Sequence, residues 1–294
     1  MTKLQKGLLL ALIAFIFYGL QPYYTKPLLA IGMSNESILF YRNLFGALPL
    51  ALFMIVKRTS FRLSLRELVT LIFLAFISDG ACLFYNEGFT DNRLPTGIAS
   101  TIQFLYPIIT ALIMIMFYKE KCRRSTLVAL ILAVGGVAFL SWPSEQSQIK
   151  LIGVFFELLS AFCYGFYIVR LNHSRVSNMD GTKLTFYVLF IGSLIFAGEG
   201  LRVDQLQGIH TFEEWKYVLI LAVFCTTIVN LLIVLCARLI GSTLTSMFGA
   251  LGPLTAIITG LLFLGEEMTV SIGVGIVCIL SAVLLIIYAN RPKK

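Results

Sequence analysis

Asp79, Glu157, Arg42, Gln103 and Asn230 interrupt stretches of sequence that are otherwise almost entirely apolar. A charge at the centre of a bilayer costs about 2.5 kcal/mol or more on insertion scales, so each one calls for a compensating role. Carboxylates and a guanidinium in that setting either carry protons or hold the polar ends of a small solute. Asp79 follows Glu67 by 12 residues, about 18 Å along a helix, which sets it near the middle of its apolar stretch. A carboxylate at that depth suits reversible protonation and makes Asp79 the first candidate for a coupling or substrate group. The structural alternative is an aspartate tied to a neighbouring helix or to Ser78. Glu157 shares a helical face with Ser160 and Tyr164, three and seven residues on. Tyr18, Gln21, Thr25 and Lys26 form a similar stripe, broken by Pro22. By depth, Lys26, Arg42, Glu87 and Glu157 gather toward one side of the membrane. There they form either a gate of exchangeable ion pairs or snorkelling ends with Glu87 in an exposed loop. Gln103 and Asn230 lie at mid-depth. Pro107 and Pro253 each remove a helical hydrogen bond, and freed carbonyls of this kind sit beside substrate in carriers, although a plain packing kink has the same signature.

The elements that must position these residues are transmembrane helices. The chain has 294 residues, 58% of them hydrophobic and only 13% charged, with a mean hydropathy of +0.89. Its apolar runs approach the roughly 20 residues needed to cross a hydrocarbon core of about 30 Å. Ten spans are predicted, at about 7–28, 38–56, 67–86, 96–118, 126–142, 151–170, 183–200, 215–236, 243–264 and 269–289. Each is expected to be α-helical because lipid offers no partner to an open backbone group. The runs are continuous rather than alternating, which excludes a β-barrel. The predicted fold is therefore an all-α integral membrane protein.

The net charge of +8 sets topology and does not point to nucleic acid. With both termini in the cytoplasm, most of the 23 Lys and Arg residues fall on the cytoplasmic side. Only Lys26, Arg93, Lys150, Arg202 and Lys216 fall on the other side, with Arg42 inside a span. That is the positive-inside bias. Lys3 and Lys6 before the first apolar run resemble the start of a signal peptide, but no small-residue cleavage site follows, and an uncleaved first helix is expected. Cys82, Cys122, Cys163, Cys225, Cys236 and Cys278 show no metal-ligand spacing and read as buried thiols.

Residue n in the first half answers residue n+146 in the second. Tyr18-Gly19 returns as Tyr164-Gly165, and Phe40-Tyr41 with Gly46 returns as Phe186-Tyr187 with Gly192. Ser100, Leu105, Pro107, Phe117 and Glu120 return as Ser246, Leu251, Pro253, Phe263 and Glu266. Five spans per half is an odd number, so the halves insert in opposite orientations, as 1–145 and 146–294. The loop charges agree: Lys119, Lys121, Arg123 and Arg124 follow span four, whereas Gly265-Glu266-Glu267 follows span nine. An inverted repeat of this size is the mark of a carrier.

The same residues resemble the ten-span EamA-type branch of the drug/metabolite transporter superfamily. That family's first span reads Trp-Gly with Lys seven residues on, matched by Tyr18-Gly19 and Lys26 with Tyr replacing Trp. Its second span carries an Arg among aromatics, matched by Phe40-Tyr41-Arg42. Its fourth span has a mid-membrane Pro and ends in Gly-Glu, matched by Pro107 and Glu120 with Lys119 replacing the Gly. The ninth span keeps Pro253 and Gly265-Glu266. The chain departs from the family around Asn86, Glu87, Asp91 and Arg93. The resemblance implies transport of a small metabolite by alternating access across the cytoplasmic membrane, without a cofactor.

Asp79 and Glu157 against Lys26 and Arg42 give the expected site both signs of charge, which favours an amino acid or similar amphipathic solute, moved outward, with protons a possible coupling ion. The alternatives are a nucleotide-sugar or sugar-phosphate exchanger of the same superfamily, or a lipid flippase or receptor-like membrane protein. No nucleotide-binding loop is present. His173 and His210 fall in loops on opposite sides, so no paired base and nucleophile for an intramembrane enzyme emerges.

Overall fold

The computed structural model describes residues 3–119, 124–140, 149–233, 235–236, 239, 249 and 251–289. Glu120 and Ser246, which belong to the sequence repeat, lie outside the described residues. Every regular element among the described residues is helical. Among the described residues seven helices are long and apolar enough to cross a membrane, and three shorter apolar helices stand where spans five, nine and ten are predicted.

The first apolar run is two helices, α1 (Lys3–Gly19) and α2 (Gln21–Ala30). Pro22 in the first turn of α2 has no N–H to continue the ladder, so the run breaks at Leu20. Helix α3 (Asn35–Val56) starts at a Ser34 cap. Helix α4 (Leu65–Phe89) starts at a Ser64–Glu67 capping box and ends in a tight turn where Asp91 adopts φ 54°. The fourth span is again split, into α5 (Thr96–Gln103) and α6 (Tyr106–Tyr118), with Pro107 in the first turn after the break. Then come α7 (Arg124–Leu140), α8 (Leu151–Asn172) and α9 (Gly181–Arg202). Helix α10 (Phe212–Ala222) begins at a Thr211–Glu214 capping box and runs into a π-helical turn over Val223–Ile228. Helices α11 (Leu251–Phe263) and α12 (Val270–Ala289) are the last described elements, with Pro253 in the first turn of α11.

Helix α3 packs along α9, α4 along α8, and α7 along α12, while α5 meets α11. Each of these pairs joins the first half to the second. Two pairs of glycines at the repeat offset lie at such contacts. A Cβ at Gly19 would run into the Gly252 carbonyl, and one at Gly165 would stand 3.1 Å from the Tyr106 carbonyl. A Cβ at Gly46 would meet Leu189 and Thr227, and one at Gly192 would meet Asn43 and Asp79. Residues 106 and 252, like 43 and 189, are 146 apart. Among the described residues the largest apolar core lies among α4, α5, α6, α7, α8, α11 and α12, around Ile98, Ile102, Ala129, Ile276 and Ile279. Large apolar side chains such as Val56, Phe76, Ile131 and Val270 project outward instead. A soluble protein would bury that surface, and a bilayer accepts it.

Candidate functional site

Polar side chains from both halves of the chain meet in one cavity of about 80 Å³. The first half supplies Tyr18, Gln21, Arg42, Asn43, Asp79, Cys82 and Gln103, and the second half supplies Tyr164, Tyr167, Thr185, Thr226 and Asn230. A space that size holds several water-sized groups, and its lining is polar enough to bind them.

Arg42 and Asp79 set the electrostatics. Both are buried, at 8% and 4% exposure. The Arg42 Nε donates to Thr226 Oγ1 at 2.8 Å, while its Nη1 has no protein partner. Asp79 Oδ1 accepts from Asn43 Nδ2 at 2.9 Å, while its Oδ2 has no protein partner. No ion pair joins the two residues. Gly192 leaves room for Asp79, because a Cβ there would overlap Oδ2. Arg42 and Asp79 thus line the same small cavity, and each carries one buried polar atom with unused hydrogen-bonding capacity that burial makes costly.

The π-helical turn positions the Arg42 acceptor. One extra residue in that turn rotates Thr226 and Thr227 out of α-helical register, and their hydroxyls bond the carbonyls five residues back, Leu221 at 2.9 Å and Ala222 at 3.2 Å. Thr227 also donates to the Gly46 carbonyl at 2.6 Å, fixing α10 against α3. Asn230 Nδ2 donates to the Thr226 carbonyl at 2.8 Å.

A second polar chain crosses the site. Tyr18 donates to Gln103 Oε1 at 3.4 Å, Gln103 Nε2 lies 3.4 Å from Ser160 Oγ, and Ser160 donates to the Ala81 carbonyl at 2.7 Å. The breaks at Pro22 and Pro107 place Gln21 and Gln103 at helix ends beside the cavity.

Tyr18, Gln21, Arg42, Asp79, Gln103, Tyr164 and Asn230 therefore come together. Glu157 does not line the cavity. It is buried between α8 and α4, where a Cβ at Gly88 would overlap its carboxyl group. Lys26, Arg42 and Glu87 do not form a single cluster. Lys26 pairs with Glu266 at 3.0 Å. Glu87, still within helix α4, pairs with Arg93 and accepts from Asn35. Asn43, Thr226, Thr227, Tyr167 and Thr185 were not singled out from the sequence. Asn43 adjoins Arg42, and Thr226-Thr227 is a polar pair inside an apolar run, but a π-helical turn has no sequence signature that would have aimed them here.

The architecture is that of a multi-pass membrane protein whose two halves enclose a small polar cavity. The EamA-like transporter family model matches residues 5–142 and again residues 151–288, and the chain belongs to that family. The uncharacterized transporter YvbV of Bacillus subtilis (strain 168) is 26% identical over 92% of this chain and 86% of its own length. The uncharacterized transporter YojE of the same organism is 24% identical over 100% of this chain and 97% of its own. Protein RarD of Escherichia coli (strain K12) is 23% identical over 90% and 87%. A solved crystal structure superposes with a TM-score of 0.68 over 98% of this chain and 99% of that one. At 12% identity that likeness concerns the fold.

Proposed function

We propose that this chain is a secondary carrier that exports an amino acid or a similar zwitterionic metabolite across the cytoplasmic membrane by alternating access. The carrying observation is that Arg42 and Asp79 line one cavity without pairing with each other, and that Arg42 Nη1 and Asp79 Oδ2 have no protein hydrogen-bond partner. A carboxylate of the solute would take the first and its ammonium the second, each as a charge-assisted hydrogen bond. Tyr18, Tyr164 and Tyr167 would enclose its apolar part. A nucleotide sugar or sugar phosphate asks for more cation than Arg42 supplies among the described lining residues.

The mechanism requires two five-helix halves, 1–145 and 146–294, inserted in opposite directions as ten spans with both termini in the cytoplasm. Two findings support that topology. The same family model fits each half in turn. Contacts between connecting segments join residues that the topology puts on one side. Arg62 meets Lys183, both predicted cytoplasmic, and Tyr118, at the predicted cytoplasmic end of its span, meets His173 in a predicted cytoplasmic loop. Lys26 meets Glu266, Ser34 meets Gln205, and Lys150 meets Asp91, all predicted outside.

Counterflow in proteoliposomes tests the solute class. Vesicles holding the purified protein are loaded with one unlabelled metabolite class at a time, and trace label is added outside. Accumulation with an amino acid and not with nucleotide sugars is expected. Accumulation with nucleotide sugars alone, or none across the panel with folded protein, would refute the assignment.

A further inference from the structure

Helices α4 and α8 meet turn by turn. Ser160 donates to the Ala81 carbonyl. Two turns along α4, Gly88 gives up its side-chain space to Glu157, and beyond it Gly153 packs against the Gly88 carbonyl. At the end of the interface the Lys150 N–H donates to the Arg93 carbonyl at 2.9 Å. Glu157 is completely buried within this seam, and neither carboxyl oxygen has a protein hydrogen-bond partner. An ionised carboxylate so placed would carry an uncompensated charge in an apolar interface, and a bound proton removes that charge.

Among the described residues the surroundings supply no counter-ion. From α4 the groups facing this seam are Tyr85 and Gly88, and the Tyr85 hydroxyl is already paired with Ser100 of α5 at 2.6 Å. Gln103 of α5 is engaged with Tyr18 and Ser160, and Tyr106 of α6 packs on Tyr164. The charged groups at the predicted outer end are committed elsewhere. Arg93 holds Glu87 and Asp91, Lys150 Nζ holds the Asp91 carbonyl, and Lys26 holds Glu266. The site is also shaped for an acid, since the missing Cβ of Gly88 leaves the space the carboxyl fills. A polar chain to the cavity begins one turn along α8, where Ser160 is joined through Gln103 to Tyr18 in the cavity wall, although Glu157 itself makes no hydrogen bond to it.

We infer that Glu157 is a proton-binding site of this carrier, separate from the solute cavity, which holds its proton while α4 and α8 are packed and releases it when that seam opens. The inference rests on the proposed carrier function for its role, though the proton site itself can be read without any solute. Infrared difference spectroscopy on the purified full-length protein, wild type minus Glu157→Gln, reads the site directly. A protonated-carboxyl band that shifts in deuterated water and is lost in the variant is expected. A carboxylate band in its place would overturn the inference. The second readout uses the amino acid that gives counterflow in the solute panel, now driven by an imposed pH gradient. Glu157→Gln should retain counterflow and lose gradient-driven accumulation, whereas Glu157→Asp, which restores an acid, should recover part of it. Gradient-driven accumulation equal to wild type in Glu157→Gln would overturn the inference. Should Glu157→Gln fail to fold, the Glu157→Asp protein is compared with wild type in both readouts, and an unchanged carboxyl band together with unchanged accumulation counts against the proposal. Absence of counterflow in the wild type refutes the solute assignment alone, because the infrared measurement still decides the proton site.

Discussion

Glu266 ties together three helices, and the strength of that tie can be worked out and measured. Its Oε1 accepts from Lys26 Nζ at 3.0 Å and from the Thr96 N–H at 2.6 Å, which joins the loop after α11 to α2 and to the first turn of α5. The side chains are 20% and 9% exposed, so solvent screens the pair only partly. Two unit charges 3.0 Å apart attract by about 5 kcal/mol at an effective dielectric constant near 20. Desolvation cancels most of this, and a net coupling of about 1–2 kcal/mol is expected, in the range of contacting pairs in double-mutant cycles. Glu266→Gln keeps an acceptor for Thr96 and should lose little beyond the coupling. Glu266→Ala also leaves the Thr96 N–H and the Lys26 ammonium without their partner and should cost about 3 kcal/mol in total. The measurement is a cycle of wild type, Lys26→Met, Glu266→Gln and the double variant, unfolded reversibly by SDS in mixed micelles and followed by circular dichroism. A coupling below about 0.3 kcal/mol, the additivity limit for independent sites, would show that the tie is an exposed contact and not a structural one.

Asp79→Asn keeps the Asn43 contact but removes the charge facing the cavity, and it should abolish counterflow with the folded protein retained. Transport unchanged over a range of pH would return Asp79 to a packing role. Gly192→Ala places a methyl on Asp79 Oδ2 and should destabilise the protein by about 1–3 kcal/mol, as overpacking does, and impair transport. Gly80→Ala, whose Cβ meets nothing, serves as its control and should be neutral or slightly stabilising, and equal behaviour of the two variants would remove the steric explanation. Reporter fusions at residues 119–124 and 265–268 should report opposite sides of the membrane, and a result on the same side would refute the inverted repeat.

The membrane class was legible because it follows from composition and run length, which no packing detail can reverse. The site was legible where chemistry alone sufficed. Arg42, Asp79, Gln103 and Asn230 stand out because polar groups are costly in lipid, and all four reach the cavity. What depth along a helix cannot give is azimuth. Lys26, Arg42 and Glu87 were expected together because they share a level, yet they point toward three different neighbours. Glu157 shares a face with Tyr164 on α8, but the missing side chain at Gly88 draws its carboxyl into the α4 seam and out of the cavity. The Arg42 partner was hidden for a third reason, since Thr226 reaches it only through a π-helical turn.

The predicted outer face is therefore held by several modest links and not by one strong lock. Lys26–Glu266–Thr96, Lys150–Asp91 and Ser34–Gln205 each cross from one half of the chain to the other. The last two are exposed, and exposed polar contacts contribute only about 0–1 kcal/mol each. Alternating access demands that closure be reversible, and a carrier whose two states differ by a few kcal/mol can be shifted between them by solute binding alone. A single fully buried ion pair across the halves would oppose that, because breaking it costs about 3–5 kcal/mol before any other contact is lost. On the proposed carrier function, keeping Arg42 and Asp79 unpaired at the centre, while partly exposed groups join the halves at one end, would leave the strongest electrostatic interactions to the solute. Loading the cavity would then, on that same proposal, be the step that drives the conformational change.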